Sequence, residues 1–117
     1  MYIKSIVIGD INFTLDLIIK RLKDKELKHD FRMIKKEFNK SVKSDTYSVK
    51  KINDLCVKYI SSTNKYNLDP ELTKLLKTLK NLVNILIDYY HLENNTLNST
   101  SLETCLNCMS DLLIYFN

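Results

Sequence analysis

Apolar residues recur along most of this chain at spacings of three and four, the pattern of α-helices that bury one face. The clearest example begins with Asp69-Pro70-Glu71. It predicts a helix of about 70–92, with Asp69 as its N-cap and Pro70 at its first position. Six apolar residues of this helix share one stripe and are expected in the core. They are Leu72, Leu76, Leu79, Val83, Leu86 and Tyr90.

A second set of apolar residues flanks this stripe, and together the two sets span about 220° of the helix circumference. One neighbouring helix cannot cover so wide an apolar face. The pattern therefore predicts a central position in a bundle, with the second flank either packed under further helices or lining a groove or a dimer interface. The predicted partner-binding residues on this flank are Leu75, Leu82, Ile85, Tyr89 and Leu92.

The N-terminal part of the chain predicts two helices separated by a break. Residues 1–9 are a short apolar piece that favours helix over strand, because no second strand is apparent to pair with it. Asp10 is a candidate N-cap for a helix that continues to about Lys23. The apolar runs before and after Asp24 lie about 140° apart around the helix axis, so one straight helix cannot bury both. We therefore predict a break near residues 23–25, with Asp24 capping the next helix.

The rest of the pattern completes an all-α protein. Further amphipathic segments predict helices at about 25–42, 48–61 and 101–116. The chain has one glycine and one proline in 117 residues, whereas sheet proteins need glycines in their turns. The sequence thus predicts a single domain over 1–117, a compact bundle of five or six helices around the long central helix at about 70–92.

Positively charged residues are concentrated in the N-terminal half of the chain. The net charge is +4, 14 of the 18 Lys and Arg residues fall within residues 1–60, and neither type occurs after Lys80. A solvated lysine-rich surface explains this distribution, and so does a nucleic-acid interface on the basic segment 20–43. The candidate basic patch is Lys25, Lys28, Arg32, Lys35 and Lys36.

Candidate chemistry is sparse. Cys105-x-x-Cys108 is the one recognisable short motif, with Cys56, His29 and His91 as further ligands for zinc. A redox dithiol is a second possibility for this pair. Cys105 lies on an apolar helix stripe, which favours core packing over both, and three cysteines suggest free thiols in a reducing compartment. With a single glycine the chain cannot build a glycine-rich phosphate loop, and no catalytic motif is present. We expect no enzymatic activity, no metal and no cofactor.

These observations favour a non-enzymatic helical protein–protein interaction module, acting through a hydrophobic groove or as a homodimer. Its compact helical pattern and scarce glycines resemble, in shape alone, the short viral Bcl-2-like proteins, which would imply a viral or host-defence modulator. In size, charge and helicity the chain is also similar to bacteriocin-immunity proteins. The start of the chain is too weakly apolar for a secretory signal, and no run is long enough for a transmembrane segment. We expect an intracellular, cytoplasmic protein, with the nucleus as an alternative.

Overall fold

The computed structural model describes residues 2–43, 69–93 and 100–114, and these ranges contain four α-helices and no strand. The predicted all-α class is therefore confirmed for this part of the chain. In chain order the helices are α1 (Tyr2–Arg21), α2 (Lys25–Lys43), α3 (Pro70–Glu93) and α4 (Thr100–Ile114).

Each described helix packs against two others, in a closed ring of the order α1, α2, α4 and α3. Polar contacts show the relative direction of the helices in two of these pairs. Asn12 of α1 contacts Asn39 of α2. Asp16, which is later in α1, contacts Lys35, which is earlier in α2. These two helices are therefore antiparallel. The helices α3 and α4 are antiparallel as well, because Asn84 bonds to Ser110 while the later His91 contacts an earlier residue of α4. The radius of gyration, 13.7 Å, matches that of a compact domain of this length.

The core is continuous through all four helices. All six residues predicted for the core stripe of α3 are buried. In α2 the buried apolar stripe consists of Leu27, Phe31, Ile34 and Phe38. In α4 the buried apolar residues are Leu102, Cys105, Leu106, Met109, Leu112 and Leu113. This agreement follows from the 3.6-residue period of the α-helix. Apolar residues that repeat at this period lie on one side of the helix, so they are buried together when that side packs against the other helices. The largest fully buried side chains are Phe31, Phe38, Ile11, Leu15, Ile18, Leu27, Ile34, Leu76, Leu79 and Leu86.

Two predicted N-caps are confirmed. The amide of Leu27 donates to Oδ1 of Asp24 at 2.9 Å, and the amide of Leu72 donates to Oδ1 of Asp69 at 2.6 Å. Each carboxylate thereby satisfies an amide that has no partner within its own helix. The break between the first two helices falls at residues 22–24, as the change of apolar face predicts.

The predicted start of a helix at Asp10 is wrong. A single helix runs from Tyr2 through Asp10 to Arg21. Val7 and Ile11 are buried one turn apart on the same stripe, and burial of this stripe outweighs both the capping preference of Asp10 and the cost of the exposed Gly9 within the helix.

The predicted position of the long helix and the number of helices also require correction. The helix α3 has nearly the predicted length, but it is one member of a ring and not its centre, because among the described helices it packs against α1 and α4. Its wide apolar face is divided between these two neighbours and solvent. Four helices are described where five or six were expected, partly because residues 1–9 belong to α1. The predicted helix at 48–61 lies outside the described residues. No described helix combines the length and apolar character needed to cross a membrane.

Candidate interaction surface

Two large apolar side chains of α1 are exposed to solvent. Ile6 is 60% exposed and Phe13 is 64% exposed. They are seven residues apart, so they lie within about 20° of each other around the helix. Leu17, one turn after Phe13, continues the same stripe and is half-buried. Phe13 and Leu17 are neighbours on this stripe, whereas the exposed Asp10 lies between Phe13 and Ile6. Exposed apolar side chains grouped in this way differ from single surface leucines, which are common.

The stripe reaches the junction with α3 at Leu17. Arg21 of α1 contacts Glu71 of α3, with 3.6 Å between Nη2 and Oε2. One turn further into both helices, Leu17 and Leu75 line the same cleft. The two helices therefore run antiparallel, and their register places Phe13 beside residues 78–82 of α3 and Ile6 beside residues 85–89.

The predicted partner-binding residues of α3 lie along this junction with different degrees of exposure. Leu75 and Leu82 are half-buried against the core. Tyr89 is half-buried too, and its ring meets that of Tyr90 edge to face, with 6.5 Å between centroids. Ile85 and Leu92, which share one stripe, are 48% and 84% exposed. We call the combined apolar face the α1–α3 surface. It comprises Ile6, Phe13, Leu17, Leu75, Leu82, Ile85, Tyr89 and Leu92.

One end of the α1–α3 surface is basic. A cleft of about 710 Å³ lies there between the end of α1 and the start of α3. Its walls carry the cations of Lys20, Arg21 and Lys23, together with the carboxylates of Asp69 and Glu71. Asp69 caps α3 and Glu71 pairs with Arg21, so two lysines of the cleft remain without a carboxylate partner in the described part of the chain.

The predicted basic patch lies on α2, away from its buried stripe. Lys25, Arg32 and Lys36 are exposed, Lys28 is half-buried, and Lys35 binds the carboxylate of Asp16 on α1. The basic segment predicted over 20–43 is divided between two helices by the break after α1. Reasoning from sequence missed two acids of α2 that are buried, namely Asp30 and Glu37.

The cysteine and histidine candidates are separated. Cys105 is buried in the core and Cys108 is half-buried, and both are free thiols. His91, at the end of α3, places its Nε2 atom 3.0 Å from Oε1 of Glu103 on α4. His29 is exposed on α2. Within the ranges 2–43, 69–93 and 100–114, no group of three or more His, Cys, Asp or Glu residues is placed to hold a metal ion, and Cys56 lies outside them.

Comparison with known proteins gives no relative for this chain. No protein-family model matches it, and neither the curated proteins nor the solved structures contain a significant match.

Sequence reasoning missed Ile6 and Phe13. The signal that could have found them is their spacing with Leu17, which repeats an apolar residue on the side of α1 opposite its core stripe. A helix start at Asp10 conceals this stripe, because it removes Ile6 from the helix. Once α1 is known to begin at Tyr2, the second stripe can be read directly from the sequence.

Proposed function

We propose that this chain is a non-enzymatic protein-interaction module that binds its partner through the α1–α3 surface. The observation that carries the proposal is the exposure of Phe13 and Ile85, at 64% and 48%, on neighbouring helices of a well-packed domain. The other aromatic side chains with assigned burial, Phe31, Phe38, Tyr89 and Tyr90, are buried or half-buried.

The composition of the surface supports this function. Its middle is apolar, with Phe13 beside the stretch of α3 that carries Leu82, and its ends carry charged residues. Protein interfaces commonly have this arrangement, in which a desolvated apolar or aromatic centre contributes most of the affinity and a polar rim excludes water. The exposed side chains of Phe13 and Ile85 are unlike the lining of a small-molecule site, which is concave and covers most of its ligand.

The direct test is photo-crosslinking within cells that express the protein naturally. A photoreactive phenylalanine analogue replaces Phe13 in one variant and Ile85 in a second. A third variant carries the analogue at Lys36, which is exposed on α2. We expect discrete crosslinked protein adducts from positions 13 and 85, and none of the same mass from position 36.

Two results would contradict the proposal. One is the absence of an adduct at both surface positions while the variants remain folded and expressed. The other is an identical adduct pattern from all three positions, which would indicate non-specific collisions.

A second candidate function is nucleic-acid binding through α2. It is favoured by the exposure of Lys25, Arg32 and Lys36 on one side of that helix. Phosphate contacts of this kind give affinity that falls steeply with salt. The test is binding to a short random-sequence duplex across a salt series, with the R32E/K36E variant as the comparison. Binding by this route requires a steep salt dependence in the native chain and a clearly shallower one in the variant.

A further inference from the structure

We infer that the occupant of the α1–α3 surface is a second copy of this chain, docked about a twofold axis close to Phe13. This inference rests on the proposed function, because it names the partner of the same surface. The observation that supports it is the distribution of charged side chains from one end of the surface to the other.

The charged side chains of the surface that take part in neither an ion pair nor a helix cap are separated by sign along it. Lys20 and Lys74 are exposed at the end that contains the cleft. Asp10 and Asp88 are exposed towards the other end. None of these four side chains takes part in an ion pair within the described part of the chain. At the lysine end Asp69 and Glu71 are already engaged, by the amide of Leu72 and by Arg21. The remaining charges therefore make the surface a dipole.

The spacing of these charges defines an axis. On α3, Lys74 and Asp88 are about 21 Å apart along the helix, and their midpoint is Asn81. On α1, Asp10 and Lys20 are about 15 Å apart, and their midpoint lies beside residue 77 of α3 in the antiparallel register. The two midpoints differ by about one helical turn along the bundle, and Phe13 lies between them.

A twofold rotation about this point aligns opposite charges. It brings the lysine end of one copy to the aspartate end of the other, and it does so twice because the interface is isologous. The same rotation brings Phe13 and its apolar neighbours of both copies together at the centre. The apolar centre supplies the affinity, and the paired ends fix the orientation.

Partners that carry one sign of charge fit this surface less well. A nucleic acid, an anionic membrane or an acidic peptide would gain at Lys20 and Lys74 but would be repelled at Asp10 and Asp88. The favoured partner must reverse its charge from end to end over the same length, and a second copy has that pattern by symmetry.

The test uses two charge-reversal variants, K20E/K74E and D10K/D88K, measured by sedimentation equilibrium at low salt. The native chain should show a mass that rises with concentration from 13.8 kDa towards twice that value. Each variant alone should associate at least about tenfold more weakly, because both pairs of ends then carry like charges. An equimolar mixture of the two variants should associate again as a one-to-one heterodimer, because all the ends become complementary.

A second measurement does not depend on the reversed charges. The F13C variant should form a disulfide-linked dimer on mild oxidation, since residues close to a twofold axis approach their own symmetry mates. A K36C variant on α2 is the matched control and should not form this dimer. Circular dichroism establishes that each variant keeps its helical content.

The outcomes separate this inference from the proposed function. A native mass that stays at 13.8 kDa over the whole concentration range would overturn the second copy as partner. The proposed function would still stand if photo-crosslinking at Phe13 captured a different protein. Self-association that is unchanged in both charge variants and in Phe13→Asp would place the contact elsewhere and would also overturn the inference. Absence of any adduct in cells would instead count against the proposed function.

Discussion

Asn12 of α1 and Asn39 of α2 exchange two side-chain hydrogen bonds. The Nδ2 atom of each amide donates to the Oδ1 atom of the other, at 2.9 Å in one direction and 3.0 Å in the other. Both side chains are partly buried. Because each amide supplies a donor and an acceptor to the other, the pair helps to fix the register of the two helices, together with the contact between Lys35 and Asp16.

This reciprocal pair predicts a clear coupling energy. Asn39→Leu should lower the free energy of unfolding by about 1–2 kcal/mol, because it leaves the partly buried amide of Asn12 without its partner. The double variant N12L/N39L should lose less than the sum of the two single losses, since neither polar group then remains. Urea unfolding of the four proteins measures the coupling. Strictly additive losses would show that the two amides act independently.

The N-cap of α2 predicts a contrast between two aspartates. Asp24→Ala should lower the free energy of unfolding by about 1 kcal/mol, because its carboxylate accepts a bond from the amide of Leu27. Asp10→Ala is the matched control and should change stability little, because Asp10 is exposed in the interior of α1. Thermal unfolding of both variants at low protein concentration provides the comparison. A larger loss from Asp10→Ala would support a helix start at Asp10, contrary to the fold.

The single glycine of the chain offers a stabilising substitution. Gly9 lies inside α1, and a Cβ atom built on it has no neighbour within 4 Å. Alanine at this position should raise the free energy of unfolding by about 0.5–1 kcal/mol, because it restricts the unfolded chain and suits a helix without a clash. Chemical denaturation measures the change. Destabilisation by Gly9→Ala would mean that the position is crowded in the folded protein.

The fold could be predicted from sequence wherever the apolar period decides the structure. The segments that form α2, α3 and α4 each show one clear core stripe of apolar residues. The N-caps Asp24 and Asp69 each come just before the first apolar residue of such a stripe. The helix start at Asp10 was wrong because a local preference of about 1 kcal/mol competes with the burial of several apolar side chains. Only the packed structure shows that burial.

The candidate surface could be predicted in part. The second flank of α3 can be read from sequence, but a wide apolar arc does not say which residues the neighbouring helices will cover. Leu75 and Leu82 are half-covered, whereas Ile85 and Leu92 are exposed. Phe13 was missed because its exposure depends on which side of α1 faces solvent, and this is set by the contacts of α1 with two other helices.

A matched pair of isoleucines tests the importance of the α1–α3 surface. Ile85 is 48% exposed on this surface, and Ile114 is 52% exposed at the end of α4. Aspartate at either position removes a similar apolar area, and each variant should keep its helical content because neither side chain belongs to the buried core. Only Ile85→Asp should weaken self-association, by at least about tenfold, since it places a charge among the apolar side chains of the contact.

The comparison is made by sedimentation equilibrium over the same concentration range for the native chain and both variants. Equal weakening by Ile85→Asp and Ile114→Asp would mean that general surface hydrophobicity drives association. Weakening by Ile114→Asp alone would move the contact to α4. The exposed isoleucine of α3 is the more sensitive position because it lies on the same bundle face as Phe13, so that a charge there disturbs the apolar contributions of two helices at once.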